Sequence, residues 1–278
     1  ITSMNGINGG SSMNEIGGTL NNKQVITKNG ISSYELPEGF DFLNITEDGR
    51  IIATNYIEKI LIGKEERVVK DVVVAASLEN EKLALVYSSN TIELLDINTS
   101  KTLFKEYLPL SLANDTRITN PYFMGNLILF PTLNGKVIIV SSSNNEAIKN
   151  ISVDPDSQFN NIISLNVIES TQTLIVASPN KIVSISPKEI LSKDYEIRDI
   201  IVNKENIYLA TIDGQIIKLT ANLDQVAKKK YKYAKIHALA FTDSLYAVES
   251  QGYLINIKDD FAEDTIYNFG FDNEERMI

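Results

Sequence analysis

In residues 126–143, NLILFPTLNGKVIIVSSS, two aliphatic and β-branched runs meet at Asn134-Gly135. Residues 206–220, NIYLATIDGQIIKLT, repeat the arrangement around Asp213-Gly214. Asn-Gly and Asp-Gly tolerate positive φ at both central positions, so such pairs read as tight hairpin turns. The flanking runs are almost continuously apolar, as in strands covered on both faces. Further β-rich runs meet at Asn29-Gly30, Asn55-Tyr56, Ser89-Asn90, Pro179-Asn180 and Gln251-Gly252, which makes seven turns. The repeat length is about 38 residues, and self-similarity at such a period signals stacked supersecondary units.

Around each turn the pattern supplies four strands. Residues 119–153 read as TNPYFMG, NLILFPT, KVIIVSS and EAIKNISV. The fourth strand of another repeat, VAKKKYKY, alternates: Lys228, Lys230 and Lys232 are expected on one side, Tyr231 and Tyr233 on the other. Four antiparallel strands repeated about seven times predict an all-β chain, a single β-propeller whose blades bury their faces against their neighbours. Seven blades are expected. Six or eight are the alternatives, because Lys23–Leu36 shows only two clear strands before Phe40 opens the next repeat. Residues 1–22, rich in Gly, Ser and Asn, read as a flexible leader, and residues 23–278 as the propeller. The two chain ends are expected to complete one blade together.

Composition narrows the chemistry. The chain has no cysteine, which excludes disulfides, thiolate metal sites and cysteine nucleophiles. Its formal net charge of −10 opposes nucleic-acid binding and docking to an anionic membrane surface. No apolar run approaches the ~18 residues of a spanning helix. His237, the only histidine, sits in an apolar run and reads as a packed or channel-lining residue. A single histidine also argues against a transition-metal site. The acidic runs at 154–161, 258–264 and 272–275 lack the spacing of a calcium loop and read as solvated loops. No catalytic residue, cofactor site or metal site is therefore assigned.

A protein-binding surface is the remaining candidate. Ser89 and Asn134 lie 45 residues apart, as do Asn134 and Pro179, so two consecutive blade junctions carry extra residues. These junctions, 108–117 and 154–160, should rise from one face, where binding loops on a rigid scaffold tend to lie. Leu108, Leu110, Leu112, Arg117 and Phe159 are the candidate contacts. The leucines could instead fold back onto a neighbouring blade.

The segments NLILFPTLNGKVIIVSSSNNEAIKNI and KLALVYSSNTIELLDINTSKTLFKEY resemble repeats of the pyrroloquinoline-quinone (PQQ)-like propeller superfamily. Within it they are most similar to the periplasmic lipoproteins of the outer-membrane β-barrel assembly machinery. The likeness spans residue 23 to about 271. Enzymes of the superfamily carry tryptophan docking motifs and a quinone floor, and this chain has no tryptophan. The resemblance therefore implies the non-catalytic branch: a scaffold of the bacterial cell envelope, periplasmic and anchored to the outer membrane by a lipid upstream of Ile1. Its partners would be other envelope proteins, the barrel assembly machinery among them. The alternatives are a structural subunit of another envelope machine and, less favoured, a quinoprotein-like or carbohydrate-active enzyme.

Overall fold

The computed structural model describes residues 10–13, 16–20, 22–27, 30–111, 117–157 and 159–268. The chain is a β-propeller of seven four-stranded antiparallel blades, each built from strands consecutive in sequence. Two compact units divide it, Ile1–Ile162 and Ile163–Ile278. The first holds blade 1 (10–35), blade 2 (41–68), blade 3 (73–107) and blade 4 (122–152). The second holds blade 5 (164–194), blade 6 (197–230) and blade 7 (236–268). Among the described residues the only helix is a 3₁₀ turn, Glu169–Thr171.

The apolar runs follow from two-sided burial. In blade 3, Leu83, Leu85 and Tyr87 pack on blade 2, while Ala84 and Val86 pack on blade 4. In blade 6, Ile207 and Leu209 face blade 5 and Tyr208 and Ala210 face blade 7. A strand with period-two side chains and a neighbour on each side has no polar face left.

Buried and half-buried polar side chains tie neighbouring blades together within each unit. The Phe42 amide donates to Thr19 Oγ1 at 2.8 Å, and the Ala76 amide to Asn120 Oδ1 at 3.0 Å. Asn120 Nδ2 in turn donates to the Leu43 carbonyl at 3.0 Å, so one amide joins blades 2, 3 and 4. In the second unit the Leu239 amide donates to Asp199 Oδ2 at 2.6 Å.

Three expectations need correction. The leader does not extend to residue 22: Gly10–Met13 and Gly17–Leu20 are the first two strands of blade 1, with Thr19 and Leu20 buried. Glycine lowered the apparent strand propensity there, yet a Cβ on Gly17 would stand 2.4 Å from the Ile26 carbonyl oxygen, so close packing requires it. Consequently Gln24–Thr27 and Gly30–Glu35 are the third and fourth strands of blade 1, so Gly30 opens a fourth strand and not a third. The chain ends share no blade among the described residues: blade 1 takes all four strands from 10–35 and blade 7 from 236–268. The segment at 272–278 lies outside the described residues.

The turn glycines divide by surroundings. Gly135 (φ +76°) and Gly214 (φ +80°) each sit so that a Cβ would come within 2.6 Å of a carbonyl oxygen, of Asp154 and Tyr231 respectively. Gly49 (φ +83°) has open space around it. Gly49→Ala should cost about 1 kcal/mol from the left-handed backbone alone. Gly135→Ala and Gly214→Ala should cost about 1–3 kcal/mol more, because backbone must shift. Urea unfolding of the three variants measures the difference.

Candidate functional site

One hydrogen bond recurs from blade to blade. The residue following the fourth strand donates its amide to a carbonyl in the second-to-third turn of the same blade. The pairs are Leu36 to Lys23, Val69 to Glu58, Leu108 to Asn90, Val153 to Gly135, Tyr195 to Asn180, and Tyr231 to Gly214, at 2.7–3.3 Å. The position equivalent to these donors in blade 7 falls outside the described residues. This bond holds each blade-to-blade connection beside the inner hairpin turn, so both rise on one face of the blade.

In the first unit that face joins blades 3 and 4 through Asn90, which is fully buried. Its Nδ2 donates to the Pro109 carbonyl at 2.7 Å, and its Oδ1 accepts the Leu133 amide at 2.8 Å. The two long connections are tied directly as well. The Thr119 amide donates to the Ile162 carbonyl at 2.9 Å, and Asn161 Nδ2 donates to the Arg117 carbonyl. The two connections therefore meet at Arg117–Thr119 and Asn161–Ile162, while residues 112–116 and 158 lie outside the described residues.

The candidate residues separate in this frame. Leu110 is 71% exposed and Phe159 49% exposed, and Arg117 is exposed on the same pair of loops. Leu108 is half-buried against the core between blades 3 and 4, so it is a packing residue and is corrected from the contact set. Leu112 lies outside the described residues. Asp154, read as part of a solvated acidic loop, is buried: it accepts Ser157 Oγ at 2.8 Å, while its carbonyl accepts Asn160 Nδ2 at 2.8 Å. This loop is an internally braced platform under Phe159.

Sequence reasoning missed the rest of this apolar face. Tyr56 and Ile57, in the second-to-third turn of blade 2, are exposed, and so are Val68 (76%) and Tyr107 (77%) at the ends of fourth strands. Each is isolated in sequence, and only the exit bond described above places them on the same side of their blades as Leu110. Exposed apolar groups gathered on one face mark interaction surfaces more often than scattered ones do.

Below Val68 lies a cleft of about 110 Å³ between blades 2 and 3, lined by Arg67, Tyr87, Glu93 and Thr102 among others. Glu93 is buried there and accepts Tyr87 OH and Thr102 Oγ1, both at 2.7 Å, with Lys105 Nζ at 3.3 Å. Burial works to raise the Glu93 pKa, but the hydroxyl donors and the lysine together outweigh it and hold the carboxyl below its ordinary value. Tyr87 is pushed up from its ordinary value, first by burial and then by its bond to Glu93. Glu93 thus has a donor for each carboxylate oxygen, while Arg67 Nε, in the same cleft, is buried without a partner.

In the second unit the bulges in the first strands of blades 6 and 7 set the side chains of Arg198 and His237 together, Nη2 to Nδ1 at 2.9 Å. His237 is half-buried on its strand. Among the described residues no group of three or more His, Asp or Glu side chains is placed to hold a metal.

No family model matches the chain. Plasminogen-binding protein PgbB of Helicobacter pylori strain J99 is 29% identical over 197 residues, 69% of this chain and 36% of that protein. Its counterpart in strain 26695 is 29% identical over 196 residues, with the same coverage. The matched region is thus little more than a third of these curated relatives. Among solved structures, BamB from Moraxella catarrhalis aligns with a TM-score of 0.73 at 11% identity, covering 91% of this chain and 87% of that one. The computationally designed Ika8 protein aligns at 0.64 and 12% identity, covering 99% and 91%. At such identities these structural likenesses show the fold alone.

Asn90→Ala removes two hydrogen bonds, one of them buried, orphans the Leu133 amide, and strains a residue at φ +58°. The expected cost is about 3 kcal/mol, read from urea unfolding. The Glu93 carboxyl, depressed in the folded state, stabilises the fold above its unfolded pKa, and that contribution disappears as pH falls through the folded value. Glu93→Gln should therefore flatten the loss of stability on acidification below pH 4.5. Tyr87 works in the opposite direction: its contribution is whole below pH 10 and is lost above it, so Tyr87→Phe should flatten the alkaline limb. Unfolding midpoints across the pH range test both.

Proposed function

We propose that the chain is a non-catalytic docking module of a bacterial cell-envelope protein, binding a protein partner through the loop face of its first unit. One observation carries the reading. Leu110, Arg117 and Phe159 stand exposed on two loops braced by Asn90, Asn160 and Asn161, beside the exposed Tyr107. Rigid loops presenting apolar and aromatic groups bind at low entropic cost, because little ordering remains to be done on association. An arginine among them is the residue type enriched at binding hot spots.

Two likenesses support the choice of a protein partner. The curated relatives are named for binding plasminogen, and the fold matches that of BamB. Plasminogen and the subunits of an outer-membrane barrel assembly complex are accordingly the two partners to try. The location proposed with it is the envelope, periplasmic or outer-membrane-anchored, a reading the same two likenesses support.

The chain, immobilised, is expected to bind one of these two partners with a Kd near or below the micromolar range. Leu110→Asp combined with Phe159→Asp should weaken that binding by about tenfold or more, the loss of one hot-spot contact. The same substitution at exposed Ile190, on the fourth strand of blade 5, should leave it unchanged. Surface plasmon resonance reads all three, and an undiminished response from the double variant sinks the loop-face reading.

A further inference from the structure

The fourth strand of blade 6 differs in charge from every other fourth strand. Residues 225–235, QVAKKKYKYAK, carry five lysines and no acid in a chain of net charge −10. The other six fourth strands carry at most one cation each. A lone lysine suffices to discourage edge-to-edge pairing, so edge protection does not account for this run.

Its side chains sort by direction. Lys229 pairs in register with Ile216, on the side that packs against blade 7, and its Nζ lies 3.0 Å from Asp264. Tyr231 OH donates to the same carboxylate at 2.7 Å. Lys228 and Lys230 pair with Ile217 and Gln215, on the opposite side, and both are exposed. Lys230 reaches Asp213 at 3.0 Å across a largely exposed pair. Lys228, Lys232 and Lys235 have no carboxylate partner among the described residues.

The strand ends at Lys230, so the alternation expected through Tyr233 stops there. Tyr233 instead has φ +73°, is 83% exposed, and carries the Lys232 ammonium 5.0 Å from its ring centre. Ile212, in the second-to-third turn of the same blade, is also exposed. Gly214 brings that turn against the Tyr231–Ala234 loop, since a Cβ there would meet both the Tyr231 and Ala234 carbonyl oxygens. An apolar contact therefore flanks the basic strip at one end.

We propose that this strip, Lys228, Lys230 and Lys232 with Tyr233 and Ile212, docks an extended acidic segment of a partner protein. Lys228 and Lys230, two residues apart on the strand, are about 7 Å apart, the same repeat that alternating carboxylates have in an extended peptide, and Lys232 extends the charge past the strand's end. Screening restricts attraction to about 10 Å at 0.1 M salt, so a short segment senses the strip and little of the surrounding acid. A membrane or a long nucleic acid presents charge over a wider area and meets the remaining net negative surface.

The test is fluorescence anisotropy with a labelled peptide of alternating Glu and Ser. Saturable binding at low salt, weakened as salt rises, is expected. Lys228→Glu, Lys230→Glu and Lys232→Glu together should reduce affinity by about tenfold or more, the summed effect of three exposed pairs. The corresponding Lys→Gln triple, milder toward folding, should give a smaller loss in the same direction. Charge reversal at Lys64, Lys70 and Lys188, all exposed elsewhere, should change nothing. Absence of binding, an equal loss from the remote triple, or tighter binding to phosphatidylglycerol vesicles or a single-stranded oligonucleotide would each overturn the assignment.

Discussion

Each inner blade must bury two apolar faces at once, and no single blade can do so. This constraint dictates the alternation of Leu83, Leu85 and Tyr87 against one neighbour with Ala84 and Val86 against the other. It also explains why the second and third strands lack the polar alternation of a half-wet sheet. Several polar groups enter where they finish a backbone, as Thr19, Asn120 and Asp199 do for the Phe42, Ala76 and Leu239 amides. A buried amide without such a partner costs about 1–3 kcal/mol, so these residues matter beyond their number.

The same economy shapes the binding face. A fourth strand must hand the chain to the next blade, and its first free amide finds its acceptor in the inner turn of its own blade. That local solution, repeated, gathers connections and turns on one side. Extra residues inserted at such a junction extend the loop without disturbing the packed strands. Between blades 3 and 4, and after blade 4, the inserts are held by asparagine side chains whose bonds run to loop carbonyls. The outcome is exposed Leu110 and Phe159 beside hydrogen-bonded supports, an arrangement suited to recognition.

Tyrosine hydroxyls donating to carboxylates form a second recurrent device. Tyr87 with Glu93, Tyr208 with Asp259 and Tyr231 with Asp264 each pair a phenol with an acid, and burial heads the causes that raise all three phenols. Lysines complete each group: Lys105, Lys218 and Lys229. In an acidic chain these clusters convert negative charge that would repel into specific cross-strand and cross-blade contacts, and Lys228 and Lys232 are among the cations they leave unused.

The sequence by itself determined the repeat and the four-stranded blade, because period, turn chemistry and two-sided burial are written locally, and it left the blade number at seven with six or eight as alternatives. It also located the two long junctions, since an insertion shows directly as a longer spacing. Blade 1 was hidden because its second strand relies on glycines chosen for close approach to Ile26, which resemble a linker in composition. Leu108 and Leu110 are indistinguishable by type, and only packing decided that one closes the core while the other faces water. Tyr107, Val68 and Ile57 are far apart or unremarkable along the chain, and only the exit hydrogen bond puts them on the face that bears Leu110. Side-chain direction at a strand's end depends on where the hydrogen-bonded ladder stops, and that is a property of the neighbouring strand, not of the residue.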